Sequence, residues 1–215
     1  MTTVMDHRPG FVGRLRSRQA GHPSGLLGRI IGRLMVKDTA SANDRALAKL
    51  DLTKPRTILD VGFGQGRTAA VLVRAGHRVL GVDPSATMVS QATARNRAAC
   101  RDGRATLHHG DGITIPFPDD SADAAITAHT IYFMPDPAAT IADIARVLRP
   151  GGTLVIACRT SDDETPAWID SNIYRIRSAD EIAAMLGAAG FDSVEHEPGG
   201  AGAHLIHLFV ARLAD

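Results

Sequence analysis

Three acids and three glycines are the residues of this sequence whose types and spacing could do chemistry. Asp60, Gly62, Gly64 and Gly66 alternate with other residues in Asp60-Val61-Gly62-Phe63-Gly64-Gln65-Gly66. The residues just before them, with Ile58 and then Val61, read as a buried strand, and Thr68 to Ala75 takes up helical composition. A strand that turns sharply into a helix aims backbone N–H groups and the positive end of the helix dipole at one point. Glycines there let a ligand lie directly on the backbone, in space a Cβ would fill. A dinucleotide fingerprint would put the third glycine one residue later, where Arg67 stands. A carboxylate at the strand tip would also repel a pyrophosphate, whereas it suits a ligand carrying an ammonium group.

Asp83 follows seventeen residues after Gly66, at the tip of a second apolar strand. Open parallel sheets bind ligands at the carboxyl ends of their strands, and an acid there can accept both hydroxyls of a ribose. Before Pro84, Asp83 also suits a turn or a helix cap. Asp111, between Gly110 and Gly112, stands after a third strand, where it suits either a ligand contact or a plain turn.

Several elements must position these residues. Ser24 to Val36 places Leu26, Leu27, Ile30, Ile31 and Leu34 at helical spacing, and a second helix is expected from Ser41 to Leu50. From Arg56 onward strands and helices alternate, which predicts a doubly wound, Rossmann-like α/β sheet. The second strand covers His77 to Asp83, and a helix capped by Ser85 runs to about Arg101. A short strand spans Ala105 to His108, and a fourth spans Asp123 to Thr130. A helix from Ala138 to Leu148 stops at the breaker cluster Arg149-Pro150-Gly151-Gly152, and strand Thr153 to Cys158 follows. Helix Ser178 to Ala189 ends at Gly190. The strands Ser193 to Glu197 and His204 to Arg212 then read as an antiparallel hairpin around Gly199-Gly200-Ala201-Gly202. The expected sheet has seven strands and is mostly parallel.

A chain of 215 residues with 44% hydrophobic content suits one globular domain with a sizeable core. Its net charge of +1 gives no general pull toward nucleic acid or a membrane. The basic residues are unevenly placed, since Arg8, Arg14, Arg16, Arg18, Arg29, Arg33 and Lys37 precede position 38 with Asp6 alone against them. The two cysteines, Cys100 and Cys158, have no CxxC spacing, so neither a disulfide framework nor a zinc site is expected. No apolar run is long enough to span a bilayer and no signal-peptide core opens the sequence, which together point to a soluble cytoplasmic protein.

The Asp-x-Gly-x-Gly-x-Gly run resembles motif I of the class I S-adenosylmethionine-dependent methyltransferases. Ile115-Pro116-Phe117-Pro118-Asp119-Asp120-Ser121-Ala122-Asp123 resembles the segment that joins the third-strand acid to the fourth strand in that family. Arg146-Val147-Leu148-Arg149-Pro150-Gly151-Gly152 is similar to its R-V-L-[KR]-P-G-G signature. The resemblance covers residues 56–159 well and the tail in outline, and points to the branch of the ubiquinone and menaquinone C-methyltransferases. It implies residues 1–55 as a basic N-terminal segment with lid helices and 56–215 as the S-adenosyl-L-methionine-binding domain. It also implies a cofactor site of Asp60, Gly62, Gly64, Gly66, Asp83, Pro84, Met88, Gly110, Asp111, Gly112 and His129. The third-strand acid Asp111 would take the adenine amino group, with Met88 and Ile113 against the ring.

The implied reaction is methyl transfer to a small-molecule acceptor. Orientation and exclusion of water are then the main tasks of the protein. A base is needed only for a hydroxyl or an acidic carbon, and His129 at the fourth-strand tip is the candidate, with Tyr132 as aligner. The plainer alternative is that both only line the wall. Cys158 and Arg159 border the same place, and Trp168 suits either a lid or the core. The family's Asn-Pro-Pro-aromatic tetrad of base and amide N-methyltransferases is replaced by His129-Thr130-Ile131-Tyr132, which argues against a nucleic-acid acceptor. Asp136 is the one acid just past the fourth strand, so no metal is expected. Two rivals are a nicotinamide-dependent oxidoreductase and a non-catalytic S-adenosylmethionine-binding protein. The acceptor atom and the oligomeric state are left open.

Overall fold

The computed structural model describes residues 10, 13, 17, 41–54, 56–199 and 206–215. The helix expected over 24–36, the glycines of the hairpin turn beyond Gly199 and the start of the last strand before 206 lie outside those residues.

Helix α1 (41–47) precedes the sheet. Strand β1 (Thr57–Val61) is buried at every position but its first, as expected of a strand covered on both faces. It turns through Gly62–Gly66 into α2 (Arg67–Arg74), which buries Thr68, Ala69, Leu72 and Val73 along one face. After β2 (Arg78–Asp83), the Ser85 hydroxyl accepts the Met88 N–H at 3.3 Å and opens α3 (Ala86–Arg95). The single helix expected as far as Arg101 is broken at Asn96, and α4 (Arg97–Arg101) is a separate short turn. Strand β3 (Ala105–His109) and β4 (Ala122–Ala128) follow. Asp136 caps α5 (Pro137–Val147), accepting the Ala139 N–H at 3.0 Å, with Pro137 at the first helical position. Strand β5 (Leu148–Cys158) comes next. A complete capping box of Ser178 and Glu181 opens α6 (Ala179–Ala188). The hairpin is β6 (Phe191–Glu197) and β7 (His207–Leu213).

The strand order is β3-β2-β1-β4-β5-β7-β6. Strands β1 to β5 pair in parallel, and β7 runs antiparallel to both of its neighbours. Winding outward from β1 to β3 and then returning to β4 makes a reversal between β1 and β4. Ligand crevices open at such a reversal, at the carboxyl ends of the strands.

Side-chain alternation builds a core on each face of the sheet. Leu59, Ala125, Leu154 and Ile156 join Ile141 and Ile144 of α5 and Ile182 of α6 on one face. Ile58, Ala124, Ile126, Val155 and Ala157 join Leu72 of α2 and Ala46 and Leu47 of α1 on the other.

Two boundaries differ from expectation for identifiable reasons. Arg149-Pro150-Gly151-Gly152 lies within β5, because the register against β4 shifts between Ala122 and Ala124 and takes up the extra residues; Gly151 has φ +68° there. Strand β4 stops at Ala128, short of Thr130, because His129 turns into left-handed backbone at φ +61°. Arg146 of the R-V-L signature is a brace. Its guanidinium meets Asp143 and Asp119, both at 2.6 Å, and donates to the carbonyls of Phe117 and Ile115, fastening the segment before β4 to α5.

Candidate active site

The turn after β1 is held by its neighbour. Gly62 donates its N–H to the Val82 carbonyl at 2.7 Å, and Gly64 donates to the Asp83 carboxylate at 2.8 Å. The other oxygen of Asp83 accepts the Ser85 N–H at 2.8 Å. The backbone carbonyl of Asp83 accepts the Gly110 N–H at 3.2 Å. Hydrogen bonds therefore tie the tips of β1, β2 and β3 into one row, so Asp60, Asp83 and the Gly110–Gly112 loop share one edge of the sheet.

The three glycines are left-handed, with φ +76° at Gly62, +54° at Gly64 and +69° at Gly66. Their surroundings differ. A Cβ on Gly62 would overlap the Thr130 side chain, and one on Gly66 would lie 2.7 Å from the Asn96 amide and 2.8 Å from the Ala92 Cβ. A Cβ on Gly64 would meet nothing within 4 Å. Gly62 and Gly66 are packing glycines, and the backbone at Gly64 borders open space.

Asp60 is buried at 4% exposure, and its Oδ2 has no hydrogen-bond partner. Burial, together with the charge of Asp83, pushes its carboxyl up to about 7. An unpartnered buried carboxylate oxygen is costly, and a cationic ligand group would relieve it. Asp111 is exposed, and its Oδ1 accepts the N–H groups of Ile113 and Thr114, both at 2.8 Å. Those two bonds hold its carboxyl below the usual range, keeping it an acceptor at neutral pH. Met88 is buried at 3% exposure, and the Pro84 carbonyl lies at hydrogen-bond distance, 3.0 Å, from Nε2 of His109.

The second wall is made after β4. His129 donates its backbone N–H to Ala157 at 2.8 Å, next to the tip of β5. Its Nδ1 lies 3.2 Å from the Tyr132 hydroxyl, and its Nε2 is buried without a partner. Burial lowers its pKa to about 4, assisted by the charge of Arg159, so the imidazole is neutral at physiological pH. Burial raises the Tyr132 phenol well above its ordinary value. Tyr132 packs on Phe133 and Tyr174 at ring distances of 4.8 and 5.1 Å, and Trp168 meets Tyr174 at 5.9 Å. Ser17, wholly buried, donates to the Trp168 carbonyl and accepts the Asp170 N–H, both at 3.2 Å, so a residue of the N-terminal segment is fastened to this wall.

Sequence reasoning passed over three residues that shape the site. Asn96 donates to the Gly66 carbonyl at 3.0 Å, and an asparagine within a helical run was the available signal. Thr127 and Thr130 share a hydroxyl–hydroxyl hydrogen bond, and Thr130 also reaches the Val61 carbonyl at 3.4 Å, tying β4 to β1. Nothing in their spacing marks them. Cys158 is buried, and burial raises its thiol to about 12, so it is an inert wall residue.

No helix among the described residues is long and apolar enough to cross a membrane. Among the same residues no three His, Cys, Asp or Glu side chains are grouped to hold a metal ion.

The sequence matches the methyltransferase domain family over residues 59–156. It is 32% identical to methyltransferase GfsG of Streptomyces halstedii over 157 residues, covering 68% of this chain and 56% of that protein. It is 30% identical to 27-O-demethylrifamycin SV methyltransferase of Amycolatopsis mediterranei over 164 residues, covering 72% of this chain and 60% of that protein. The matches thus span less than two thirds of these relatives' own lengths. Among solved structures, a SAM-dependent methyltransferase from Aquifex aeolicus superposes with a TM-score of 0.64 at 22% identity, covering 80% of this chain and 89% of that one. That likeness carries the fold.

Proposed function

We propose that the chain is a class I S-adenosylmethionine-dependent methyltransferase, which binds S-adenosyl-L-methionine at the β1–β3 edge and methylates a small-molecule acceptor. The observation that carries the reading is the unpartnered, buried Oδ2 of Asp60 beside a glycine turn whose middle member opens on free space. A cationic amino-acid group answers that carboxylate, and a pyrophosphate does not. When bound, the cofactor supplies a methyl group already activated on a sulfonium.

The residues of the chain then have separate tasks. Gly64 and its neighbours give the backbone cradle, while Asp60 answers the ammonium. Asp83 holds the turn and accepts ribose hydroxyls. Asp111, Gly110, Gly112, Pro84 and Met88 frame the adenine end. Tyr132, Phe133, Tyr174 and Trp168 wall the acceptor side and keep water out. His129 is neutral, so it can take a proton from a hydroxyl or an acidic carbon, and an oxygen acceptor is the first choice. The relative from Amycolatopsis mediterranei is named for methylation at an oxygen, which supports that order. Ser17, fastened to the Trp168 segment, brings a residue of the N-terminal segment to the acceptor side.

Titration with S-adenosylhomocysteine and with NADH, followed by labelled-methyl transfer to a panel of hydroxylated small molecules, tests the reading. S-adenosylhomocysteine is expected to bind and NADH to give no heat. NADH binding alone would move the chain to the oxidoreductases. Cofactor binding with no labelled product from any acceptor would leave a non-catalytic binding protein.

A further inference from the structure

The cofactor edge is at the carboxyl ends of the strands. A second concavity lies near the other end, where α2 finishes, α3 gives way to α4, and the chain enters β3. This cleft of about 210 Å³ is lined by small apolar residues, Val73 and Ala99 among them, by Asn96, and by the exposed Arg74, Arg95 and Arg104.

The charge around it is one-sided. Arg78, Arg97 and Arg101 bring the arginines between positions 74 and 104 to six, and the acids of that stretch are Asp83, committed at the cofactor edge, and Asp102. The Asp102 carboxylate is divided between Arg101 at 3.6 Å and Arg104 at 3.3 Å. Arg78 donates to the Gly103 carbonyl at 3.4 Å, which brings it to the same turn. Among the described residues Arg74, Arg95 and Arg97 have no carboxylate partner. A chain whose net charge is only +1 therefore concentrates like charges beside one hollow, an arrangement that repels itself until an anion is shared. The chain's own first forty residues cannot supply that anion, since Arg8, Arg14, Arg16, Arg18, Arg29, Arg33 and Lys37 outnumber Asp6 and Asp38.

We propose that this cleft binds a small phosphate-bearing molecule, with Arg74, Arg95 and Arg104 on the phosphate and Val73 and Ala99 against its apolar part. Guanidinium forks match phosphate oxygens two at a time. The volume is below the roughly 300–1,000 Å³ of drug-sized pockets, so the ligand is small: a diphosphate, or a phosphate on a short carbon frame. The cleft shares Asn96 with the back of the β1 turn, but Arg74, Arg95 and Arg104 are not among the residues assigned to the cofactor, and the proposal does not depend on the methyltransferase reading.

Inorganic pyrophosphate is the probe. Calorimetric titration of the full chain at low salt is expected to show binding that weakens steeply as NaCl is added. The double variant Arg74→Ala/Arg95→Ala is expected to weaken it at least about tenfold, while the urea unfolding midpoint stays at the wild-type value and shows the fold intact. Absence of pyrophosphate binding to the wild type would overturn the proposal. So would equal affinity in the double variant, which would put the anion elsewhere on the basic surface.

Discussion

Asn96 donates its side-chain amide to the carbonyl of Gly66 at 3.0 Å, bridging the break between α3 and α4 to the last glycine of the β1 turn. The same amide reaches the Ala92 carbonyl at 2.9 Å, and the residue is buried at 6% exposure. The interruption of the helix thus has a use: it turns a side chain inward to fasten the β1 turn from behind.

Asn96→Ala is expected to cost about 1–3 kcal/mol of stability, because it removes two buried side-chain hydrogen bonds of about 0.5–1.5 kcal/mol each and leaves the Gly66 and Ala92 carbonyls to the backbone N–H groups of Ala70 and residue 96 alone. It should also weaken S-adenosylhomocysteine binding, since Gly66 loses its anchor. Urea unfolding and calorimetric titration read the two effects. Wild-type stability in the variant would mean that the brace carries nothing.

The turn itself makes a sharper distinction. Gly64→Val should lose cofactor binding while the core stays packed, at a backbone cost of about 1–2 kcal/mol for an L-residue held left-handed. Gly62→Val meets the same backbone cost and also the Thr130 side chain, so it should unfold at clearly lower denaturant. Titration and unfolding midpoints on both variants decide it. Two equally stable variants would refute the division into a ligand glycine and packing glycines.

Much of this arrangement was legible in the sequence because it follows from local rules. The strand–turn–helix at Asp60–Thr68, the Ser85 cap and the α/β alternation are each specified within a dozen residues, and the sheet order then brings Asp60, Asp83 and Asp111 to one edge. What escaped depends on residues distant in sequence or on backbone geometry. Thr130 against Gly62 and the left-handed His129 that ends β4 early arise where β4 lies beside β1, and Asn96 beneath Gly66 arises where the end of α3 packs under the β1 turn. The Arg149–Gly152 cluster misled for the opposite reason. Its proline and glycines are local breakers, yet pairing with β4 absorbs them as an irregularity inside β5. The arginine cleft was hidden because its charges are spread over thirty positions that only folding collects.

The raised carboxyl of Asp60 has a signed consequence. Its ordinary value is 3.8 and the folded value is about 7, so between those limits the folded state holds a proton that the unfolded chain releases. Stability from this group therefore falls as pH rises from about 4 to about 7. Asp60→Asn should remove that slope and be the more stable protein at neutral pH, while losing cofactor affinity. A bound ammonium favours the ionised carboxylate, so wild-type binding below pH 7 should release a proton, and affinity should climb toward pH 7. Calorimetry in buffers of different ionisation heat counts the proton. A binding heat independent of buffer at pH 6 would contradict the assignment.

His129 carries the opposite sign. Its ordinary value is 6.5 and burial lowers it to about 4, so its contribution to stability is lost as pH falls through that range. For catalysis the neutral ring is the useful form, but only one tautomer serves. Nε2 can accept a proton from the acceptor only if Nδ1 carries the hydrogen and donates it to the Tyr132 oxygen, 3.2 Å away. A positioned base contributes about 10²–10⁴-fold to a rate, so His129→Ala should lower kcat by that order and change cofactor affinity much less. Tyr132→Phe keeps the ring wall but releases the tautomer, and is expected to lower kcat with a smaller change in KM. Steady-state kinetics on both variants with a methylated acceptor separates the roles. Equal losses in kcat and in binding for His129→Ala would make the imidazole a wall residue, and an unaffected Tyr132→Phe would show that the phenol does not set the tautomer.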